Sequence, residues 1–553
     1  MLDTPTKNII VCADGTGNTT IKDRGTNVFK LYEAVDQNGH RKDPSLMPQI
    51  AIYHDGVGTE TLKWVRIFAG ATGFGLSRNV RQLYGGIARV YEPGDHIYLF
   101  GFSRGAFTVR TLAGLILTCG ILKADAYQTN DEFRRAVRQL YASYRQKYEA
   151  PVANAVAAAV RRLRPPRPVE IKLTVTPQDA RIRFVGVWDT VDAVGLPFPV
   201  ADTFNEYVYA FKFRTTKLDP RVDFARHALA LDEERESFTP VVWDEREARE
   251  GQIRQVWFAG VHSNVGGGYP RQGMSLEALE WMMAEAHNKG LRFVPGDRER
   301  YYEHADVNDK MYDPRAGSGI FYRWQPRNVE ALRAGKSAGP ALVHRSAFER
   351  IARNTEGYVP GSLPPEVEVV SSTMGPTDWR TRAIETCIKD AHAGGPSLVE
   401  RYQSTLKLGE ISYWLSLAAT LLVAAIGLVV YVQQAWDAAA NPTVPKKLAA
   451  IASGIVRLEW VVSAATTLWN NPIVLTLGVV LLALGFGLQL WTDRTMDRRY
   501  ATFWHPQRDQ LRVALGLQPS GVAASGAARF MSIPGGPAGA SLEGHGVDVW
   551  DKV

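Results

Sequence analysis

The amino-acid sequence predicts an α/β fold with a mostly parallel sheet and helices on both faces, followed by a C-terminal hairpin of two transmembrane helices. An apolar, β-rich run passes through a glycine turn into a helical pattern between Asp95 and Leu117. Two further strand-like runs end at Asp189 and His262. Near the C-terminus, two long apolar runs contain no Asp, Glu, Lys or Arg. Alternating strands and helices are typical of a parallel sheet, and about 20 apolar residues can cross a bilayer as a helix.

The length of 553 residues allows a large catalytic domain and a further segment, because single cores rarely grow past about 300 residues. We expect the α/β domain to occupy residues 1–400, with its core at about 7–290. The hairpin should lie within 401–500. A tail follows over 501–553 and is expected to be largely disordered, because it is rich in Gly, Ala, Ser and Pro after about Gly516.

Charge and cysteine content narrow the classes of partner. The net charge of +7 comes mainly from scattered arginines, and the basic clusters lack the interleaved aromatic residues of a nucleic-acid groove. Attraction to anionic lipid headgroups accounts for the excess of positive charge. Cys12, Cys119 and Cys387 lie far apart, with no His at metal-ligand spacing, so neither a disulfide framework nor a metal site is expected and no cofactor is indicated. The first residues lack the basic and apolar regions of a cleavable signal.

Strand and helix patterns alternate along the first half of the chain. The predicted strands are Lys7–Ala13, Gln49–His54, Ile97–Phe100, Ala180–Trp188 and Gly251–Val261. Helical patterns cover Arg78–Tyr91, the stretch after Ser103, about Asp131–Arg164 and Ser275–Asn288.

Three stretches carry no assigned chemistry. Gly70–Gly75 lacks both the G-x-G-x-x-G order and the lysine of a P-loop, so we interpret it as a loop that opens the next helix. The helical block at 131–168 ends in prolines, which favours a peripheral insertion over a lid. Between 290 and 400 the pattern is less regular.

The glycine turn GFSRG, at residues 101–105, fits the G-x-S-x-G elbow. In that motif a strained turn between a strand and a helix presents a serine hydroxyl at the helix N-terminus. Gly101, Gly105 and Ala106 provide the small neighbours that the turn needs. The pentapeptide alone is common, but the apolar strand before it and the amphipathic helix after it supply the required context. We therefore assign Ser103 as the candidate nucleophile.

A serine hydroxyl needs a base to take its proton and an acid to orient that base. Ser103, Asp189 and His262 follow one another in the order of the α/β-hydrolase triad, each at the end of its own predicted strand. Parallel strands deliver such residues to one edge of a sheet. We expect His262 to be the general base and then the general acid, oriented by Asp189. Asp192, in the same turn, and Asp232 are alternative acids.

The loop after the first strand is where this fold class often places half of its oxyanion hole. We expect the donors to be the backbone N–H of Arg104 and that of Gly15 or Thr16. Asp14 has two interpretations: it closes the turn through hydrogen bonds to its own loop, or it positions the hole. The side chain of Arg104 either binds an acidic group of the substrate or is solvated or ion-paired.

The two uncharged runs, Ile411–Trp436 and Val461–Thr492, predict membrane spans at about 411–433 and 470–491. Aromatic residues typical of the membrane interface lie near their ends: Trp414, Tyr431, Trp469 and Trp491. The uninterrupted apolar runs disfavour two core helices of a soluble domain. Two spans leave both termini on one side, and the excess of Lys and Arg there predicts a cytoplasmic catalytic domain and C-terminus at the inner membrane.

Six segments together resemble a known family. They read CADGTGNT, GATGFGLSRNV, YLFGFSRGAFTVRTLAGLI, VGVWDTV, HALALDEERESFTPVVW and WFAGVHSNVGGGY. This ordered set resembles the catalytic domain of the class-one type VI secretion phospholipase effectors, a bacterial α/β-hydrolase family, over residues 7–290. The resemblance implies a triad of Ser103, Asp189 and His262 that hydrolyses phospholipid acyl esters. Asn264 stands where the family more often has aspartate, so we include it among the residues that support His262.

The sequence therefore predicts a membrane-anchored serine hydrolase that acts on lipid esters, with a lipid bilayer as its partner. Three alternatives stay open. The same triad could act on a small soluble or peptidoglycan-related ester, the fold could be an inactive membrane-bound scaffold, or the protein could be an antibacterial effector delivered to other cells.

Overall fold

A sheet of eight strands, all paired in parallel, forms the centre of the protein in a computed structural model. The structure describes residues 6–15, 25–56, 74–148, 168–191, 216–314, 323–337, 339–371, 378–438, 451, 453 and 459–518. The strands are β1 (Asn8–Ala13), β2 (Gln49–His54), β3 (His96–Phe102), β4 (Ile121–Leu122), β5 (Leu173–Val175), β6 (Ile182–Trp188), β7 (Val222–Ala230), β8 (Ile253–Phe258), β9 (Ala341–His344) and β10 (Val367–Val370). Their order in the main sheet is β10-β9-β8-β7-β6-β3-β1-β2, while β4 and β5 pair separately. The predicted α/β fold is confirmed.

Helices cover both faces of the sheet. In the first half of the chain they are α1 (Asn27–Ala34), α2 (Gly39–Lys42), α3 (Phe74–Val90), α4 (Arg104–Cys119), α5 (Asn130–Tyr148), α6 (His262–Gly266) and α7 (Gly273–His287). In the second half they are α8 (Asp297–His304), α9 (Val329–Arg333), α10 (Arg345–Arg353), α11 (Trp379–His392), α12 (Leu398–Arg401), α13 (Gln403–Ala438), α14 (Glu459–Asn470), α15 (Pro472–Trp504) and α16 (Gln507–Ala514).

Strand β1 explains why the sheet is covered on both faces. Its residues are all buried, since Ile9 and Val11 join the cluster formed with α3, α4 and α5, while Ile10 and Cys12 join the cluster formed with α1 and α7. A strand buried on both faces gives a continuous apolar run rather than an alternating one. The apolar side of α5 belongs to the first cluster, so the described part of the 131–168 block packs against the core through one face. Residues 149–167 of that block lie outside the described ones.

The region 290–400 is more regular than its sequence pattern suggests. It contributes β9, β10, α10 and α11, which extend the sheet beyond β8 and build a third cluster of buried residues. Strands of four residues are too short to give a clear period, which is why the pattern was not decisive. Strand β7 is also absent from the sequence-based prediction, because Asp223, Arg226 and His227 interrupt its apolar run.

The tail expected from residue 501 is partly ordered. Helix α15 continues to Trp504, and α16 packs with it against the third cluster, where the side chains of Trp504 and Leu511 are fully buried. A few apolar residues at helical spacing do not reveal which surface they pack against, so only the tertiary structure shows this packing. The remaining residues, 519–553, lie outside the described part of the chain.

Helices α13 and α15 are the two long apolar helices. They run antiparallel, since Arg499 Nη1 donates to Thr405 Oγ1 at 2.7 Å and Gly485 lies against Ser416. The most apolar 18-residue windows within Gln403–Asp437 and Leu475–Trp504 have mean hydropathies of 2.5 and 1.8, and only 19% and 11% of these windows is buried by protein. By length and composition these helices could cross a membrane.

Candidate active site

The predicted triad residues follow strands that are neighbours in the sheet. Ser103 comes directly after β3, Asp189 directly after β6 and His262 four residues after β8, and β7 lies between β6 and β8. All four strands are parallel, so their carboxyl ends meet at one edge of the sheet. The fold therefore delivers the three side chains to the same edge.

Ser103 occupies a strained turn between β3 and α4. Its φ of 59° and ψ of −124° are unusual for a residue with a side chain, and its N–H donates to the Trp188 carbonyl at 3.0 Å. Helix α4 begins at the next residue and packs tightly on β1, because a Cβ added to Gly105 would lie 2.1 Å from the Ala13 carbonyl oxygen. This is the geometry of a nucleophile elbow, with the serine at a helix N-terminus.

Asp189 and His262 form a short hydrogen bond. His262 Nδ1 donates to Asp189 Oδ2 at 2.6 Å, and both side chains are buried. A proton held on Nδ1 leaves Nε2 as the acceptor of the neutral ring. The ring of Phe102, next to Ser103 in the chain, lies 4.6 Å from the imidazole centroid. The pair can therefore act as a base held by an acid beside the serine turn.

Arg327 is a functional candidate that the sequence did not indicate. Its Nη1 donates to Asp189 Oδ1 at 2.7 Å and its Nη2 donates to Oδ2 at 2.8 Å, a bidentate pair that is almost fully buried. The same two nitrogens donate to the carbonyls of Ala230 and Phe238, each at 2.6 Å. Arg327 lies in the region to which no chemistry was assigned, and its surrounding sequence, QPRN, carries no recognised motif.

The pKa directions agree with this arrangement. Burial alone would raise the pKa of Asp189, but the Arg327 guanidinium and the hydrogen bond from His262 hold it well below its usual range. Burial lowers the pKa of His262, and the opposing influence of Asp189 and Glu233 does not reverse this. At neutral pH the site thus holds an ionised carboxylate and a neutral imidazole.

Glu233 supports the histidine from the backbone side. Its Oε2 accepts the His262 N–H at 3.2 Å, and it forms an ion pair with Arg235 at 2.7 Å. The guanidinium of Arg235 lies 3.5 Å from the centroid of the Phe238 ring, which in turn packs edge-on at 4.9 Å against the imidazole. Burial would raise the pKa of Glu233, but Arg235 keeps it below the ordinary value. The imidazole is therefore held between Phe102 and Phe238.

The alternative acids are not arranged around His262. Asp232 accepts from Tyr358 Oη at 2.8 Å and from the Gly260 N–H at 2.6 Å, and burial raises its pKa to about 6. Asp192 lies outside the described residues. Of the two candidate acids that the structure describes, Asp189 and Asp232, only Asp189 forms a hydrogen bond with the imidazole.

Asn264 and Asp14 stabilise loops. The Asn264 side chain accepts the Val261 N–H at 3.4 Å and donates to the Lys310 carbonyl at 3.1 Å, so it closes the turn that carries His262. Asp14 accepts from Gly15 N–H and Thr26 Oγ1, both at 2.6 Å, and from Tyr53 Oη at 2.8 Å.

These hydrogen bonds favour the interpretation that Asp14 closes the turn of its own loop. The Gly15 N–H, a predicted donor of the oxyanion hole, is therefore already bonded to Asp14. Thr16 lies outside the described residues. The N–H of Arg104 is in the first turn of α4, at the expected place for an oxyanion donor.

A strap of two short segments connects the site to helix α13. Residues 234–236 and 323–325 pair through the Glu236 N–H to the Arg323 carbonyl at 3.0 Å and the Gln325 N–H to the Glu234 carbonyl at 2.6 Å. Arg323 also forms ion pairs with Glu236 and with Glu410 of α13. The buried ring of Trp324 lies against Gly409. One segment of the strap continues to Phe238, which packs against His262, and the other continues to Arg327, which bonds Asp189. The strap therefore links the base of α13 to the Asp189–His262 pair.

Comparison with known proteins identifies the domain that carries Ser103, Asp189 and His262. The family model described as "T6SS, Phospholipase effector Tle1-like, catalytic domain" matches residues 7–285, half of the chain. An uncharacterized protein of Saccharomyces cerevisiae is 29% identical over 249 residues, which are 42% of this chain and 32% of the yeast protein. The chain thus spans about a third of the length of that curated relative. With a parallel α/β sheet and a family model that covers half of its length, the chain belongs to the T6SS phospholipase effector Tle1-like family.

Proposed function

We propose that this protein is a membrane-anchored serine hydrolase that cleaves the carboxylic ester bonds of phospholipids. The observation that supports it most is the 2.6 Å bond between His262 and Asp189 beside a serine in an elbow turn. A neutral, oriented imidazole next to a serine at a helix N-terminus is the arrangement used for acyl transfer. Membership in a phospholipase effector family supports a lipid as the substrate class.

In the proposed reaction His262 Nε2 takes the proton from Ser103 Oγ as that oxygen attacks the ester carbonyl carbon. The tetrahedral intermediate collapses, the lysolipid alcohol leaves with the proton from His262, and the acyl group stays on Ser103. A water molecule, deprotonated by the same imidazole, then releases the fatty acid and restores Ser103. Asp189 keeps the proton on Nδ1 and stabilises the imidazolium that forms in each half-reaction.

Arg327 is a positioning residue in this scheme. Its fork fixes both oxygens of Asp189, so only one orientation of the carboxylate presents Oδ2 to the imidazole. Its positive charge keeps Asp189 ionised in a buried site. The arginine thereby sets the direction in which the imidazole points.

For the oxyanion we propose the Arg104 N–H and, from the loop after β1, the N–H of Thr16. Asp14 already accepts the Gly15 N–H, which leaves Thr16 as the other candidate donor in that loop. Each donor in such a hole is worth about 3 kcal/mol of transition-state stabilisation.

The hairpin of α13 and α15 would hold this site beside a bilayer, so that a lipid reaches it without crossing bulk water. Basic residues flank the hairpin on the side of the catalytic domain: Arg401, Lys407, Arg494, Arg498, Arg499, Arg508 and Arg512. The connection between the spans carries fewer, namely Lys446, Lys447 and Arg457. By the positive-inside rule we place the catalytic domain and the C-terminus in the cytoplasm, at the inner membrane.

The test is hydrolysis of a phospholipid and of a short-chain p-nitrophenyl ester by the full chain in detergent, with Ser103→Ala as the matched inactive variant. We expect the lipid to be the better substrate and Ser103→Ala to abolish both activities. Preference for the soluble ester would replace the lipase with a general esterase. No turnover combined with fluorophosphonate labelling of Ser103 would overturn the substrate class alone. No turnover and no labelling would favour an inactive scaffold.

A further inference from the structure

A groove lined by arginines lies between α3 and α5, away from the candidate active site. It has a volume of about 480 Å³. Arg78, Arg81 and Arg89 line it from α3, and Arg134 and Arg138 line it from α5. The described lining includes no acidic residue, and its floor contains the buried ring of Phe133. The proposed hydrolysis uses none of these residues.

The spacing of the arginines concentrates their charge on facing sides of the two helices. Residues 78, 81 and 89 follow one another at helical intervals, as do 134 and 138. Like charges one turn apart on a helix oppose its formation by a few tenths of a kcal/mol, so this pattern has a cost in the free protein. A bound anion would remove that cost.

Within the part of the chain that the structure describes, these arginines have little compensating negative charge. Within the described residues, the one carboxylate in ion-pair range of the five is Asp131, 3.8 Å from Arg134, and its side chain is 81% exposed. Arg81 Nε donates to the Ser77 carbonyl at 2.9 Å, and Arg89 Nη1 donates to the Gly85 carbonyl at 3.2 Å.

Aromatic rings add a second kind of support. The guanidinium groups of Arg81 and Arg89 lie over the rings of Tyr141 and Phe133, at 5.9 Å and 4.6 Å from the centroids. These contacts orient the guanidinium groups without neutralising them.

The pKa of Arg81 is consistent with a guanidinium group surrounded by other positive charges. Burial lowers its pKa, and the neighbouring charges of Arg138, Arg145 and Arg78 lower it further, against the opposing influence of Tyr141. Guanidinium groups bind phosphate oxygens through two parallel N–H donors, so several arginines around one groove suit a phosphate group.

The direction of α3 places one end of the groove toward the carboxyl edge of the sheet. Helix α3 connects β2 to the parallel strand β3, so it starts at the carboxyl edge of the sheet. Arg78 and Arg81 lie in its first turns, toward the edge that carries Ser103 and the strap to α13. We propose that the groove binds the phosphate group of an anionic phospholipid. The lipid source rests on the membrane placement proposed above, whereas the phosphate chemistry does not.

Binding can be measured without catalysis, so failure of this proposal is distinct from failure of the proposed hydrolysis. The full chain with Ser103→Ala, in non-ionic detergent, is titrated by calorimetry with dihexanoyl phosphatidylglycerol, dihexanoyl phosphatidylcholine and inorganic phosphate. The test variant adds Arg81→Gln and Arg138→Gln. The control adds Arg41→Gln and Arg353→Gln, which remove the same charge from exposed positions outside the groove. A further variant, Arg134→Gln with Arg138→Gln, changes only exposed side chains and guards against misfolding.

We expect phosphatidylglycerol to bind about tenfold tighter than phosphatidylcholine, and both groove variants to lose about tenfold in that affinity while the control does not. Inorganic phosphate should bind more weakly than the anionic lipid and compete with it. Equal affinity for the two lipids, or equal loss in the control, would overturn the proposal. Inorganic phosphate binding as tightly as phosphatidylglycerol would overturn the lipid source and leave a site for free phosphate.

Discussion

The serine half and the histidine–aspartate half of the candidate site are built in different ways. Ser103 depends on one continuous stretch, β3, the turn and α4, in residues 96–119. His262 and Asp189 depend on segments from four parts of the chain, and Arg327 is 138 residues from the carboxylate it holds. The first half is therefore a local motif, whereas the second exists only when long-range contacts bring its parts together.

Replacing the acid should have the largest effect and separates the two halves. We expect Asp189→Asn to lower kcat by about 10⁴-fold, because the amide cannot hold the reactive tautomer of the histidine. Asp232→Asn serves as the matched control, since its carboxyl bonds Tyr358 and Gly260 instead of the imidazole, and kcat should change by a few-fold at most. The measurement is steady-state hydrolysis of the p-nitrophenyl ester. A larger loss in Asp232→Asn than in Asp189→Asn would reassign the acid.

Removing the positioning arginine should damage stability as well as activity. Arg327→Met leaves a buried carboxylate without its charge partner, and we expect the free energy of unfolding to fall by about 3–5 kcal/mol. The double variant with Asp189→Asn should recover part of that loss, because it removes the uncompensated charge. Denaturant unfolding followed by circular dichroism measures both. Strictly additive losses would contradict the coupling.

In the serine half, we expect activity to be most sensitive to a substitution at the tightest backbone contact. Gly105→Ala places a methyl group where a Cβ would lie 2.1 Å from the Ala13 carbonyl oxygen, so α4 and the elbow must shift. A displacement of this kind costs about 10²-fold in catalysis. Gly339→Ala is the control, because nothing lies within 4 Å of a Cβ there. Fluorophosphonate labelling rates of Ser103 report the difference, and equal rates would contradict the elbow geometry.

The histidine–aspartate half should also respond to the base of the hairpin. In Gly409→Leu a Cβ would lie 2.2 Å from the buried Trp324 ring, so the strap that carries Arg327 must move, and we expect a several-fold lower kcat with KM little changed. Gly487→Leu is a matched change in α15, with nothing within 4 Å of the Cβ. The same loss in both variants would indicate a general effect of the hairpin and not the strap.

The smallest expected effect is on the pH profile. Only neutral His262 accepts a proton, and burial lowers its pKa, so kcat/KM should rise with pH through a midpoint below 6.5 and then stay level. The charge of Glu233 raises the pKa of His262, so Glu233→Gln should move that midpoint to lower pH by less than about one unit. A shift to higher pH would show that Glu233 does not act on His262 electrostatically.

Much of the site could be predicted because its signals are local. The strand, the glycine turn and the helix around Ser103 occupy consecutive residues, and Asp189 and His262 each end a strand pattern in the expected order. Arg327 and Glu233 could not be found in this way. Arg327 is a single charged residue in a stretch without a recognised motif, and Glu233 is one of five consecutive charged residues, so the role of each comes from what it contacts.

By itself, the sequence determined the α/β class, the Ser103 elbow, the order of the candidate catalytic residues, the family and the two apolar runs. Each of these rests on short patterns of residues that are close together in the sequence. Only the tertiary structure shows that Asp189 and not Asp232 bonds His262, and that Asp14 accepts the Gly15 N–H. It also shows that β7, β9 and β10 belong to the sheet and that α16 packs onto the core. The physical reason is the distance along the chain over which each interaction acts. Propensity and periodicity act over a few residues, whereas hydrogen bonds and burial are satisfied by whichever distant segment the fold brings into contact.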